Sequence, residues 1–145
     1  MSASNFWRLT QFTDRRDFLG VAEKTLQSFV PAMSQNLDSV SQMLVALGVA
    51  CIKPFQVIIA GDRDAENTML MLQMIRSIYI PGKTVMLVHG SAARKKLAAY
   101  LPFIADMKAV KRMPTAYVCI EHACKEPITN PAALAKLMKR FVSSS

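Results

Sequence analysis

The sequence has little of what marks secreted or membrane proteins. It contains three cysteines among 145 residues, and an odd number is not typical of a secreted disulfide framework. Its longest apolar run, residues 43–52, is about half of the ~20 residues that a membrane span needs. The amino terminus lacks the basic-then-apolar order of a signal peptide. We therefore predict a cytoplasmic protein with no membrane segment.

Motifs that identify common enzyme and cofactor sites are also missing. The chain has no P-loop and no G-x-G-x-x-G fingerprint. No Ser-His-Asp triad and no pair of catalytic carboxylates can be assembled from its residues. We accordingly expect no bound cofactor, and we do not expect this chain to be an enzyme by itself.

What the sequence does contain is typical of a folded domain with an appended helical segment. Hydrophobic residues make up 52% of the chain, which argues against disorder. Residues 1–50 balance four bases against four acids, so the whole net charge of +8 lies in residues 51–145. Because aromatic residues do not alternate with these bases, we do not expect nucleic acid as a partner. A solvated face or an acidic neighbouring domain explains the charge. Six of the bases form a cluster: Arg94, Lys95, Lys96, Lys108, Lys111 and Arg112.

Hydrophobic residues recur at helical spacing through the first part of the chain. The pattern predicts a leading helix and a helical hairpin, with helices over about 3–12, 14–30 and 36–51, in a segment of residues 1–52. Pro31 marks the predicted end of the second helix. We expect an apolar surface on these helices that self-associates or meets a missing partner. It should include some of four aromatic residues: Phe6, Trp7, Phe12 and Phe18.

The hydrophobic period changes near Lys53, and an α/β domain is predicted over residues 53–142. β-branched and apolar runs indicate strands at 55–60, 84–88 and 115–120, separated by helical segments. Asn130 and Pro131 are typical of a helix start, and they predict the last helix. The order βαβαβα favours a three-stranded parallel sheet with the first strand in the centre.

Loops that follow parallel strands share one edge of a sheet, where ligands usually bind. This edge should gather the ligand-binding candidates Asp62, His89, Ser91 and His122 with Cys119 and Cys124. The cysteine spacing and the scattered histidines are poor for a zinc site, so no metal is predicted. Cys119 and Cys124 are either structural or a thiol redox pair. Asp62 is also a candidate for the cap of the following helix. Cys51 should be buried.

Several segments resemble a known family. They are residues 4–9 with 17–29, the run FQVIIAGD at 55–62, YIPGKTV at 79–85, and PTAYVC at 114–119 with residues 123–124 and 127–131. Together they are similar to the C-terminal region of the thioredoxin-domain-containing family typified by spermatogenesis-associated protein 20. His122 departs from the asparagine-aromatic pair expected near it, so the family gives no support for a ligand role of that residue.

The resemblance implies a larger protein than this chain. Family members carry a thioredoxin-like domain, then a barrel of helical hairpins, and then a small α/β region. The barrel is like that of six-hairpin glycosidases, and this likeness implies a connection with carbohydrate metabolism. The chain is thus expected to be a fragment, a split gene product or a truncated relative. Its expected function is a non-catalytic accessory region of undefined activity. The expected partner is the rest of a multidomain protein, a separate thioredoxin-like or barrel chain, or a second copy. The alternative is a small redox module that uses Cys119 and Cys124.

Overall fold

The computed structural model describes residues 3–13, 16–35, 41–121 and 123–143. The chain forms two compact units, Met1–Lys53 and Pro54–Ser145, which we call the helical unit and the α/β unit. The assignment of the first to barrel hairpins and of the second to a C-terminal domain stays a prediction. Within the described ranges, no helix combines the length and the apolar character needed to cross a membrane.

The helical unit contains three described helices: α1 (Ala3–Thr13), α2 (Arg16–Gln35) and α3 (Ser41–Ala50). The predicted start of the third helix at residue 36 lies outside the described residues. The predicted end of α2 is wrong, because the helix continues through Pro31. Proline costs a helix one hydrogen bond, but its fixed φ lies in the helical range. Phe6 and Phe18 join α1 to α2, with ring centroids 6.2 Å apart.

The α/β unit begins with β1 (Phe55–Ala60), α4 (Glu66–Ser77), β2 (Thr84–Val88) and α5 (Gly90–Ala98). A 3-10 helix follows at Pro102–Asp106, and then β3 (Thr115–Ile120), β4 (Ala123–Cys124) and α6 (Pro131–Ser143). β1, β2 and β3 have the predicted bounds, since each is a run of apolar and β-branched residues between turn residues. β4 was not predicted.

The sheet is mixed and has four strands in the order β2-β1-β3-β4. The mixed α/β class and the central place of β1 are as predicted, and β1 pairs in parallel with β2. The prediction of a three-stranded parallel sheet is wrong. β3 runs antiparallel to β1, and β4 runs antiparallel to β3.

The path of residues 89–114 explains the direction of β3. β2 ends at Val88, which lies beside Ala60 at the end of β1, and β3 begins at Thr115 beside the same Ala60. For β3 to run parallel to β1, the connection would have to return to the other end of the strands, beside the start of β1. Here α5 is followed by the 3-10 helix that packs against it. A tight bridge between Val110 and Met113 then turns the chain into β3 at the original edge.

Both faces of the sheet are covered, so β1 is buried along its whole length. A strand that is buried on both faces has a nearly continuous apolar sequence, and this pattern is the reason that β1 was predicted at the centre of the sheet. One face packs against α4 and α6, and its fully buried members are Phe55, Val57, Ile59, Met71, Ile75, Ala116, Val118, Leu134 and Met138. The other face packs against the connection between β2 and β3, and its buried members are Ile58, Val88, Leu101, Ile104, Met107 and Cys119.

Side chains cap two helix ends of the α/β unit. The Asn130 side-chain oxygen accepts hydrogen bonds from the N–H groups of Ala132 at 2.8 Å and Ala133 at 3.3 Å, which confirms the predicted cap of α6. At the carboxyl end of α4, the Lys83 ammonium donates to the carbonyl groups of Ile75 and Ile78. Burial lowers the pKa of Lys83 below its ordinary value.

Asp62 does not cap α4, contrary to the prediction. The residue at the cap position is Ala65, and the start of α4 receives no hydrogen bond from a capping side chain. Asp62 instead accepts the N–H of Asp64 at 3.1 Å, which closes a short turn before the helix.

Candidate functional site

Two of the predicted loops meet at one edge of the sheet. Because β1 and β2 are parallel, the residues that follow Ala60 and Val88 emerge side by side. The N–H of Gly61 donates to the Val88 carbonyl at 3.3 Å, which extends the pairing one step past β1. Asp62 comes next after β1 and His89 next after β2, and their side chains are more than half exposed.

Asp62 and His89 approach each other closely. His89 Nδ1 lies 3.4 Å from Asp62 Oδ1 and 3.0 Å from the backbone nitrogen of Arg63. A backbone N–H can only donate, so Nδ1 is the acceptor and cannot also hold a proton for Asp62. We therefore assign the neutral imidazole with its proton on Nε2, and the contact between Asp62 and His89 is not an ion pair in this form.

A cavity of about 310 Å3 opens at this edge. Residues from four places in the fold line it: the ends of β1 and β2, the start of α5 and the connection that leads into β3. They are Ala60, Gly61, Asp62, Val88, His89, Gly90, Ser91, Arg94, Met107, Ala109 and Arg112. The predicted candidates Asp62, His89 and Ser91 thus come together around one cavity.

The cysteines lie at the opposite end of the strands, so the expectation that all the candidates lie together is wrong. Cys119 pairs with Gln56 near the start of β1, whereas the cavity lies beyond the end of that strand. The antiparallel direction of β3 accounts for this separation, because its carboxyl end points away from the carboxyl ends of β1 and β2. His122 lies outside the described residues.

Cys119 and Cys124 form a disulfide across β3 and β4, with their Cα atoms 3.8 Å apart. This distance is shorter than the ~4.4–6.8 Å usual for disulfides. The N–H of Lys125 donates to the Val118 carbonyl at 2.8 Å, which makes the cysteines a non-hydrogen-bonded pair, where side chains approach closely. Cys124 was expected in a loop, but it belongs to β4.

The two bonded cysteines differ in exposure. Cys119 is buried, with 3% of its surface accessible, and it packs in the core of the sheet, whereas Cys124 is exposed. The prediction that Cys51 is buried is wrong, because it is a free and exposed cysteine just after α3. Among the described residues, no three His, Cys, Asp or Glu side chains stand close enough to hold a metal ion.

Two cavity residues, Arg94 and Arg112, were missed as site residues. Both belong to the basic cluster seen in the sequence, but charge alone does not tell which of six bases faces a cavity. Arg94 lies one helical turn into α5, and Arg112 has a left-handed backbone with φ 61° in the turn before β3. For Arg94, the one signal in the sequence was that its helix, α5, begins directly after the candidate residue His89.

Comparison with curated proteins found relatives of this chain. No family model matches the chain, and no solved structure matches it significantly. Spermatogenesis-associated protein 20 of Homo sapiens is 34% identical over 138 residues, and the proteins of that name from Rattus norvegicus and Mus musculus are 33% and 32% identical. Each match covers 95% of this chain and 17% of the relative. Over most of its length the chain is similar to a C-terminal region of spermatogenesis-associated protein 20, as its motifs predicted.

Proposed function

We propose that this chain is a non-catalytic accessory region whose helical unit packs against further helices of a larger protein. The observation that carries the proposal is the composition of α3, in which seven of ten residues are apolar and none is charged. A helix that is apolar all round is normally buried. In α3, however, Leu44, Val45 and Leu47 are exposed by 38%, 58% and 43%.

The stripe of α2 supports the same proposal. Phe18, Ala22, Leu26 and Phe29 follow one helical face. Ala22 is fully buried, but Phe29 near the end of the stripe is 40% exposed. α2 has 20 residues and α1 has 11, so α1 is too short to cover the whole of α2.

The four aromatic residues named from the sequence contribute less than expected to this surface. Phe6, Trp7, Phe12 and Phe18 are each partly buried. Among the residues of the helical unit whose exposure the structure describes, the exposed large apolar side chains lie elsewhere, on α2 and α3: Val21, Phe29, Val30, Leu44, Val45 and Leu47. We call these six residues the apolar helix surface.

The relatives make helices of a larger protein the favoured partner. The chain spans 17% of their length, so most of each relative has no counterpart in it. The resemblance noted in the sequence implies a barrel of helical hairpins before the small α/β region. We infer that such helices, in the same polypeptide or in a separate chain, cover the apolar helix surface.

The first experiment measures whether the surface is uncovered. The isolated chain should self-associate in sedimentation runs and bind a hydrophobic dye. Replacement of Val45 and Leu47 by glutamate should reduce both signals, whereas Gln27→Glu, an exposed change on α2, should not. A chain that stays monomeric and binds no dye would overturn the proposal.

A second experiment identifies the partner. The human relative with its matched region deleted is mixed with the chain, and binding is followed by calorimetry. We expect binding that Val45→Glu weakens and Gln27→Glu does not. If the chain binds only to itself, a homo-oligomer replaces the barrel as its partner.

The second candidate function is thiol–disulfide exchange, and the exposure of Cys124 favours it. An external thiolate would attack the Cys124 sulfur, form a mixed disulfide and release the Cys119 thiolate. The test is reduction of insulin by dithiothreitol in the presence of the chain. Acceleration that Cys124→Ser abolishes and Cys51→Ser preserves supports this function. Absence of acceleration removes it.

A further inference from the structure

We propose that the cavity beyond β1 and β2 binds a small phosphomonoester. This inference concerns the α/β unit and does not depend on how the helical unit is covered. It rests on the charge, the donors and the dimensions of the cavity.

Two arginines provide the charge. Arg94 comes from α5 and Arg112 from the turn before β3, so the cavity is lined by arginines from two separate elements. Neither arginine side chain forms a hydrogen bond or an ion pair with a residue in the described ranges. Asp62 is the one carboxylate among the lining residues, and the net charge of the cavity is therefore positive. Guanidinium groups present paired donors that match the oxygens of a phosphate.

Backbone donors lie at the start of α5, where Gly90 and Ser91 line the cavity. Gly90 has φ 73°, which glycine adopts without a steric penalty, and it starts α5 beside the cavity. His89 precedes it and gives no side-chain hydrogen bond to the first turn of α5. The N–H groups of that turn therefore have no capping partner, and they lie at the positive end of the helix dipole. The hydroxyl group of Ser91 adds a donor at the same place.

The size and lining of the cavity favour an ester over inorganic phosphate. A volume of 310 Å3 equals the share of about ten liquid water molecules, which is more than one phosphate group fills. It also lies near the lower end of the ~300–1,000 Å3 found for small-molecule pockets. Val88 and Met107 are buried apolar residues of the lining, and they can contact a small organic group.

The test measures binding of three probes to the full chain by calorimetry: inorganic phosphate, glucose 6-phosphate and AMP at constant ionic strength. We expect at least one ester to bind with a dissociation constant of about 1 mM or lower, and more tightly than phosphate. The tighter ester shows whether the phosphate comes from a sugar or from a nucleotide. Absence of binding by both esters at that concentration would overturn the proposal.

Matched variants separate a site from general attraction to a basic surface. Arg94→Gln and Arg112→Gln should each weaken binding of the preferred ester by about tenfold or more, because each removes a charge-assisted contact. Lys96→Gln and Lys111→Gln remove the same charge from exposed neighbours that do not line the cavity. They should change binding less than about twofold. Equal losses in the arginine and lysine variants would refute a defined site. Circular dichroism confirms that each variant is folded.

Discussion

Removal of the cross-link between β3 and β4 should cost stability in the α/β unit and nowhere else. The perturbation is Cys124→Ser in a chain that already carries Cys51→Ser, so that no other cysteine can replace the lost partner. Cys124 is exposed, and serine at this position places no new polar group in the core. The buried Cys119 keeps its packing as a small apolar side chain.

The magnitude follows from the length of the closed loop. Residues 119–124 make a loop of six residues, for which the chain-entropy relation gives about 2 kcal/mol at 25 °C. The variant should stay folded, because backbone hydrogen bonds hold the hairpin without the disulfide. Lys125 donates to Val118 within it, and Glu121 donates to the Pro54 carbonyl at 3.1 Å.

The assay uses two probes because the chain has two units. Trp7, the single tryptophan, reports the helical unit by fluorescence, and far-ultraviolet circular dichroism reports both units. The loss of about 2 kcal/mol should lower the melting temperature of the α/β unit by roughly 8–16 °C. The fluorescence transition should not move. Dithiothreitol should lower the stability of the Cys51→Ser chain to that of the double variant, and it should leave the double variant unchanged.

Two results would refute this reasoning. A change below about 0.5 kcal/mol would mean that the bond restricts the unfolded chain much less than a closed loop of six residues should, so that the loop-closure argument fails. A shift of the tryptophan transition of similar size would mean that the cross-link stabilises the helical unit as well.

Three further substitutions test other contacts of the α/β unit, each by urea denaturation. Lys83→Met should cost about 1.5–3 kcal/mol, because two carbonyl groups at the end of α4 lose a charged donor. Burial lowers the pKa of Lys83 below 10.5, so the unfolded chain holds the Lys83 proton more strongly than the folded chain as the pH rises toward that value. The wild type should therefore gain stability relative to Lys83→Met over this pH range. A stability difference that does not change with pH would contradict this. Asn130→Ala should cost about 1 kcal/mol by removing the cap of α6, and an unchanged midpoint would show that the cap is dispensable. Gly61→Ala should cost about 1–3 kcal/mol, because its new Cβ would lie 2.8 Å from the Thr68 hydroxyl oxygen. If that contact is the cause, Thr68→Ala in the same chain should recover part of the loss.

The sequence was a good guide where a pattern is local. The bounds of β1, β2 and β3 and the Asn130 cap follow from apolar runs and capping chemistry within a few residues. β4 has only two residues, which is too short to show any period, and it was missed. The direction of β3 depends on the route of residues 89–114, and the hydrophobic pattern of a strand is the same in either direction.

The candidate site divides in the same way. The convergence of Asp62, His89 and Ser91 follows from the parallel pairing of β1 with β2, which the βαβ pattern predicted. The separation of the cysteines from that edge follows from the direction of β3, so the sequence could not reveal it. Arg112 reaches the cavity for the same reason, because the antiparallel β3 begins where β1 ends.

The strand order also sets an order of assembly for the sheet. Partners in β1 and β2 are 28 residues apart in the chain, whereas partners in β1 and β3 are 55 to 65 residues apart. Closing the longer loop costs about 0.7 kcal/mol more in chain entropy. We therefore expect the β1–α4–β2 segment to form first and to serve as the template on which the β3–β4 hairpin docks. Substitutions such as Ile75→Val in α4 should then slow folding, whereas Val118→Ala in β3 should mainly speed unfolding.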